Sequence, residues 1–297
     1  MTSPSSAPPS PHRWVLGARP RTLPAAVVPV ALGASVGVGE YGARWWAVVP
    51  ALVVSLALQV GVNYANDYSD GVRGTDEVRV GPVRLVGSGL ATPSEVKRAA
   101  MIAFGVAAVA GFVLVVTTSP WLIVVGVASV AAGWFYTGGK HPYGYYGFGE
   151  LFVFVFFGLV ATVGTTFVML ERLPAVAWVL GAAAGSLACA LLVVNNLRDI
   201  PTDRVAGKRT LAVRIGDRST RLLYVALLVA AAALVVVAAL DGHGWAAIGL
   251  VGFVLAVAPA RAVLGGASGR ELIVVLGATG KVQLAVGALT TLGMALS

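Results

Sequence analysis

The chain has 297 residues, 58% of them hydrophobic and 11% charged, with a formal net charge of +8 and a mean hydropathy of +0.85. Such a composition excludes a water-soluble globular domain and a largely disordered chain, both of which need far more polar surface. The single cysteine, Cys189, excludes an intrachain disulfide.

Residues 1–12 are rich in Ser and Pro and lack the short apolar core of a cleavable signal, which predicts a disordered tail ahead of one transmembrane domain over 13–297. Nine apolar stretches follow, near 22–38, 46–65, 96–116, 120–136, 149–169, 176–197, 219–240, 244–264 and 272–296. Each approaches or exceeds the roughly 18 residues that a spanning helix needs. Lipid offers no partner to a free backbone N–H or C=O, so the expected class is all-α, a polytopic membrane protein with nine transmembrane helices. With the N-terminus in the cytoplasm, all but Arg44, Arg172 and Lys281 of the 21 Lys and Arg fall in cytoplasmic segments. The net charge is thus a topological signature rather than a nucleic-acid footprint.

The second and sixth stretches run into two acidic, amide-bearing segments. The first carries Asn63, Asn66, Asp67, Asp70, Arg73 and Asp76; the second carries Asn195, Asn196, Arg198, Asp199 and Asp203, with Lys208 and Arg209 just beyond. Together they hold five of the thirteen carboxylates. Asn63, Asn66, Asp67 and Asp70 run i, i+3, i+4, i+7, and Asn195, Asp199 and Asp203 run i, i+4, i+8, so each set shares a helical face. Pro201 removes a backbone donor within the second set and predicts a kink. Val62, Asn63 and Asp67 recur as Val194, Asn195 and Asp199 an even number of crossings later, as a parallel internal repeat would place them.

Stacked carboxylates repel one another unless a cation lies between them, and oxygen donors without Cys or His suit a hard ion, Mg2+ before Zn2+. Asp67, Asp70, Asp76, Asp199 and Asp203 are the candidate ligands. Arg73, Arg79, Arg84, Arg198, Lys208 and Arg209 stand in the same segments as candidate phosphate ligands. Acid for metal and base for phosphate point to a metal-bridged diphosphate. A cation or small-anion transporter is the alternative class, although transporters gather polar groups at the bilayer midplane rather than at helix ends.

Between the fourth and fifth stretches, Tyr136 to Glu150 form a loop rich in glycine and tyrosine that contains Lys140 and His141. Its rings read either as an interfacial aromatic belt or as π faces for an allylic cation, worth roughly 0.5 to 2 kcal/mol each. Glu150 reads as a helix-start residue or a site contact. Lys281 either reaches the headgroups or faces a polar cavity near Gln283.

These residues resemble the UbiA superfamily of intramembrane aromatic prenyltransferases, most closely its 1,4-dihydroxy-2-naphthoate polyprenyltransferase (MenA) branch. The first aspartate motif of that family is similar to Asn66, Asp67 and Asp70 with Gly74 and Asp76. The second is similar to Asn195, Asn196, Arg198, Asp199 and Asp203 with Gly207, Lys208, Arg209, Thr210 and Arg214. Trp14 to Pro24, the Gly81, Pro82, Arg84 and Ser88 segment, and Tyr136 to Gly139 carry the likeness to the branch.

The resemblance implies a nine-helix bundle around a central cavity, capped by cytoplasmic loops, in the cell inner membrane. It implies transfer of an all-trans polyprenyl group from its diphosphate to an aromatic acid, with Mg2+, giving demethylmenaquinone with loss of carbon dioxide and diphosphate. Hydroxybenzoate, homogentisate, chlorophyllide or a haem precursor are the alternative acceptors. Catalysis then falls to Asp67, Asp70, Asp199, Asp203, Lys208 and Tyr136. Substrate binding falls to Asn63, Asn66, Arg73, Arg84, Tyr136, Lys140, Asn195, Asn196, Arg198, Lys208 and Arg209.

Overall fold

The computed structural model describes residues 12–74 and 84–297, and among these every regular element is helical. The expected tail, Asp76 and Arg79 lie outside the described residues. A short helix, α1 (His12–Ala18), leads into α2 (Pro24–Ser35), α3 (Val48–Val72), α4 (Pro93–Thr117) and α5 (Leu122–Phe135). Then come α6 (Gly149–Leu170), α7 (Ala175–Val205), α8 (Leu211–Leu240), α9 (Gly244–Leu264) and α10 (Gly269–Leu296).

Each of the nine apolar stretches coincides with one of the helices α2 to α10. Seven of these, α3, α4 and α6 to α10, are long and apolar enough to cross a bilayer. The other two, α2 with 12 residues and α5 with 14, fall short of that length by themselves. A turn of tighter helix at Pro20–Thr22 precedes α2 and takes up part of the predicted stretch.

The helix starts follow local chemistry. Thr92 and Glu95 exchange bonds across the first turn of α4, and Ser268 and Glu271 do the same for α10, the reciprocal N-terminal cap that satisfies free backbone donors. Pro201 does not end α7, which runs on to Val205. α8 breaks instead at Gly216, whose φ of 81° only glycine adopts at low cost.

α7 is the central helix and is largely enclosed by the others. It packs on α8 through Leu187, Val194, Tyr224, Leu228 and Val235. Lipid is as apolar as a leucine side chain, so close approach holds such helices together more than desolvation does. At the α6–α7 contact, a Cβ on Gly158 would lie 2.5 Å from the Gly185 Cα, so only glycine permits that spacing. Outward faces of α4, α5 and α8 expose Val109, Val124 and Val229. Trp45 and Trp46 at the start of α3, and Trp178 at the start of α7, sit at the ends away from the acidic segments, as an interfacial belt would.

With 31 residues α7 rises about 46 Å, against a hydrocarbon core of about 30 Å. Its C-terminal turns, with Asn195 to Asp203, therefore extend beyond the apolar slab. Lys281 is exposed whereas Gln283 is fully buried, so the two do not share a polar cavity.

Candidate active site

A cavity of about 1170 Å³ lies within the bundle, and both acidic stripes face it. α3 contributes Asn63, Asn66 and Asp70; α7 contributes Asn195, Asn196, Asp199 and Asp203; Arg84 and Lys208 reach in from the connections that follow these helices. From Asp70 the lining continues along α3 to Ala51, about 28 Å of helix rise, and becomes apolar through Phe112, Leu122, Val127 and Phe156.

Asp70 is the hub of the polar end. It accepts from the Lys208 ammonium at 3.0 Å and from the Tyr145 hydroxyl at 2.5 Å, and pairs with the Arg84 guanidinium at 3.6 Å. Lys208 also lies 4.7 Å above the Tyr145 ring. The first stripe, the segment after it, the α5–α6 loop and the α7–α8 connection thus meet at one carboxylate.

Asp67 does something else. It is fully buried, is not among the lining residues, and accepts from the Leu85 N–H at 2.8 Å and the Val86 N–H at 3.1 Å. At 3.6 residues per turn Asp67 and Asn66 lie about 100° apart, on opposite flanks of the stripe centred on Asn63 and Asp70. Its flank meets the chain at Leu85 and Val86 rather than the cavity.

Arg198 likewise stands behind the cavity wall. Its Nε donates to Asp199 Oδ1 at 2.8 Å, and Nη2 donates to Asp199 Oδ2 at 2.9 Å and to Asn195 Oδ1 at 2.8 Å. This two-pronged grip fixes both cavity-facing groups.

The amides are held in the same way. Asn63 Nδ2 donates to the Ala18 carbonyl at 2.9 Å and to Thr22 Oγ1 at 3.1 Å. Asn66 Oδ1 accepts from Thr137 at 2.8 Å, and Asn196 Nδ2 donates to Glu150 Oε1 at 2.9 Å. Each side chain is therefore oriented before a ligand enters.

Tyr136 and Tyr143 line the cavity edge to face, with centroids 5.5 Å apart. The Tyr143 hydroxyl donates to the Ala132 carbonyl at 2.8 Å, and burial pushes this phenol above its ordinary pKa, so it stays a neutral donor. Arg73, Lys140 and Arg209 do not line the cavity; they surround a separate recess beside it, described below.

Two further lining residues were not singled out as site candidates by the sequence. Tyr145 is one of four tyrosines between 136 and 146, and spacing does not single it out. Arg19 lines the cavity in a left-handed conformation, φ 52°, which is unfavourable for a side chain with a Cβ. Its guanidinium approaches the Asn63 carbonyl at 3.5 Å. That backbone strain was invisible in a stretch whose cations read as topology determinants.

Fold and cavity define a polytopic helical membrane protein with an intramembrane site, ionic at one end and apolar along its length. Residues 26–272 match the UbiA prenyltransferase family, and the chain belongs to it. It is 54% identical to the 1,4-dihydroxy-2-naphthoate octaprenyltransferase of Mycobacterium tuberculosis, over 92% of this chain and 93% of that protein. Identity to the enzyme of the same name in Escherichia coli is 35%, over 72% of each chain. A UbiA homologue from Archaeoglobus fulgidus bound to GPP and Mg2+ superposes with a TM-score of 0.63 over 95% of this chain and 99% of that one, at 13% identity. An apo UbiA homologue from Aeropyrum pernix K1 gives 0.67 over 91% and 95%, at 17% identity. At these identities the structural likeness concerns the fold.

Proposed function

We propose that the chain transfers a polyprenyl group from its diphosphate to 1,4-dihydroxy-2-naphthoate, with decarboxylation, yielding the prenylated 1,4-naphthalenediol, the reduced form of demethylmenaquinone, for menaquinone synthesis. The observation that carries this reading is that two acid-and-amide stripes face one hollow whose far reach is apolar, in a chain so similar to enzymes of that name. The orientation that suits it places the N-terminus and the polar end of the cavity at the cytoplasmic face of the inner membrane, with α2 and α5 completing nine crossings.

Asp70, Asp199 and Asp203 offer oxygen alone, the donor set that suits Mg2+. Among the described residues no three acidic, His or Cys side chains form a closed metal site. Mg2+ commonly keeps waters and takes one or two carboxylates plus phosphate oxygens, so the substrate would complete its shell. Asp76 belongs to the same proposed set. When bound, Mg2+ neutralises charge on the diphosphate oxygens.

The protein's own groups supply the rest. Lys208 and Arg84 face the charge that grows on the bridging oxygen as the carbon–oxygen bond breaks. Arg198 keeps Asp199 and Asn195 aimed into the cavity. Tyr136 and Tyr143 offer ring faces beside the allylic cation, and the apolar walls keep water from it. The cation bonds to the electron-rich ring, and the acceptor carboxylate leaves as carbon dioxide, its bonding pair returning to the ring.

Purified protein supplied with labelled polyprenyl diphosphate and 1,4-dihydroxy-2-naphthoate should form the decarboxylated, prenylated product with Mg2+ and none in EDTA. Faster product formation from hydroxybenzoate or homogentisate would refute the assigned acceptor. Chain length offers a further check. Gly126 and Gly164 line the cavity, and a Cβ at either would meet nothing within 4 Å. Leucine at either position should protrude into the space for the tail without disturbing the fold, so the accepted diphosphates shift towards shorter chains in a competition assay. An unchanged product distribution would place the tail elsewhere.

A further inference from the structure

Beside the central cavity, on the far end of the α5–α6 loop, lies a second recess of about 300 Å³ lined by Arg73, Lys140, Arg209, Arg214, Tyr145 and Tyr146 among others. It has four cations and no carboxylate in its lining. Among the described residues none of the four ion-pairs with an acidic side chain. Four other arginines are matched by acids, Arg13 with Glu95, Arg44 with Glu171, Arg172 with Glu40 and Arg221 with Asp217, while exposed cations such as Arg98, Arg218 and Arg270 stand singly; among the described residues, only at the recess do four unmatched cations share one hollow. Four like charges around one hollow repel one another, and an anion relieves that repulsion.

Two of the arginines, Arg73 and Arg214, are held in place by main chain rather than by acids. Arg73 donates to the carbonyls of Thr137 and Gly139, and Arg214 Nε donates to the Arg209 carbonyl at 3.1 Å. The Arg214 stem lies against Gly147, where a Cβ would come within 3.1 Å of its Cδ and Nε. Carbonyl anchors orient a guanidinium without neutralising it, so its charge and remaining N–H groups stay available for an oxyanion. Tyr145 is the wall shared with the cavity: its hydroxyl reaches Asp70, its ring lies 5.3 Å below Arg73, and its carbonyl accepts the Arg209 N–H at 2.8 Å.

We infer that this recess is a second, metal-independent site for a phosphate group, either free inorganic diphosphate or the phosphate of an anionic lipid headgroup. It differs from the cavity in chemistry, with cations alone where the cavity mixes cations with carboxylates. Its existence does not depend on the proposed reaction.

The test is equilibrium binding of radiolabelled inorganic diphosphate, in EDTA, to the full chain in phosphatidylcholine nanodiscs. The expected result is saturable, salt-sensitive binding that weakens about tenfold or more when Lys140→Ala and Arg214→Ala are combined. Lys140→Arg with Arg214→Lys should restore most of it. Repeating the titration in nanodiscs containing phosphatidylglycerol assigns the occupant: weakened diphosphate binding identifies the lipid headgroup, unchanged binding the free anion. Absence of saturable binding, or equal affinity in the alanine pair and the parent at equal thermal stability, overturns the inference and shows cations that only set topology. Neither prenyl donor nor Mg2+ is present, so failure here leaves the proposed transfer reaction standing, and the reverse holds.

Discussion

Asp70→Asn should lower prenyl transfer by about 10² to 10³-fold or more while the protein remains inserted and folded, a loss of the size seen when one preorganised charge contact is removed from a reacting centre. Three donors, from Lys208, Tyr145 and Arg84, converge on this carboxylate at the head of the cavity. Asparagine preserves the shape and one acceptor oxygen but removes the charge that balances two buried cations. The measurement is single-turnover product formation at saturating Mg2+, with thermal unfolding in parallel. Near-parent turnover would remove Asp70 from the proposed metal and diphosphate machinery.

Asp67→Ala, one turn away, should act mainly through stability. The buried Leu85 N–H and the part-buried Val86 N–H lose their acceptor, and a buried unsatisfied donor costs about 1 to 3 kcal/mol. The chain after Arg84 should detach from α3, and protease cleavage or hydrogen exchange around 84–91 should rise sharply. Asp67→Asn keeps one carbonyl acceptor and should fall between. A stable Asp67→Ala protein with unaltered exchange would mean that this carboxylate does not clamp the segment, and would return it to the ligand set.

The contrast between these two residues marks how far the sequence could be read. Helix positions were legible because long apolar stretches admit little else in lipid, and the stripes were legible because i, i+3 and i+4 spacings gather side chains on one face. The same spacing spans an arc wide enough to face two neighbours, so it could not show that Asp70 enters the cavity and Asp67 grips Leu85 and Val86. Arg198 was hidden for a related reason. Its neighbour Asp199 points inwards, so on a helix the arginine must lie off that face, where it serves as a holder.

Arg73, Lys140 and Arg209 posed a different difficulty, since loop cations near a phosphate motif look alike until the chain is folded. Folding sorts Lys208 into the cavity and its neighbour Arg209 into the recess next door. Pro201, where a kink was expected, lies inside α7, which continues past it to Val205. Asp76 and Arg79 fall outside the described residues.

The length of α7 ties the chemistry to the thickness of its host bilayer. Roughly the last third of this rod exceeds the apolar slab, so in the proposed reaction a greasy donor arriving sideways and a soluble aromatic acid arriving from solution would meet at the boundary between their two solvents. Longer acyl chains would draw Asp199 and Asp203 down towards hydrocarbon, and shorter ones would lift them into bulk water. Membrane composition thereby becomes a dial on the hydration of the carboxylates themselves.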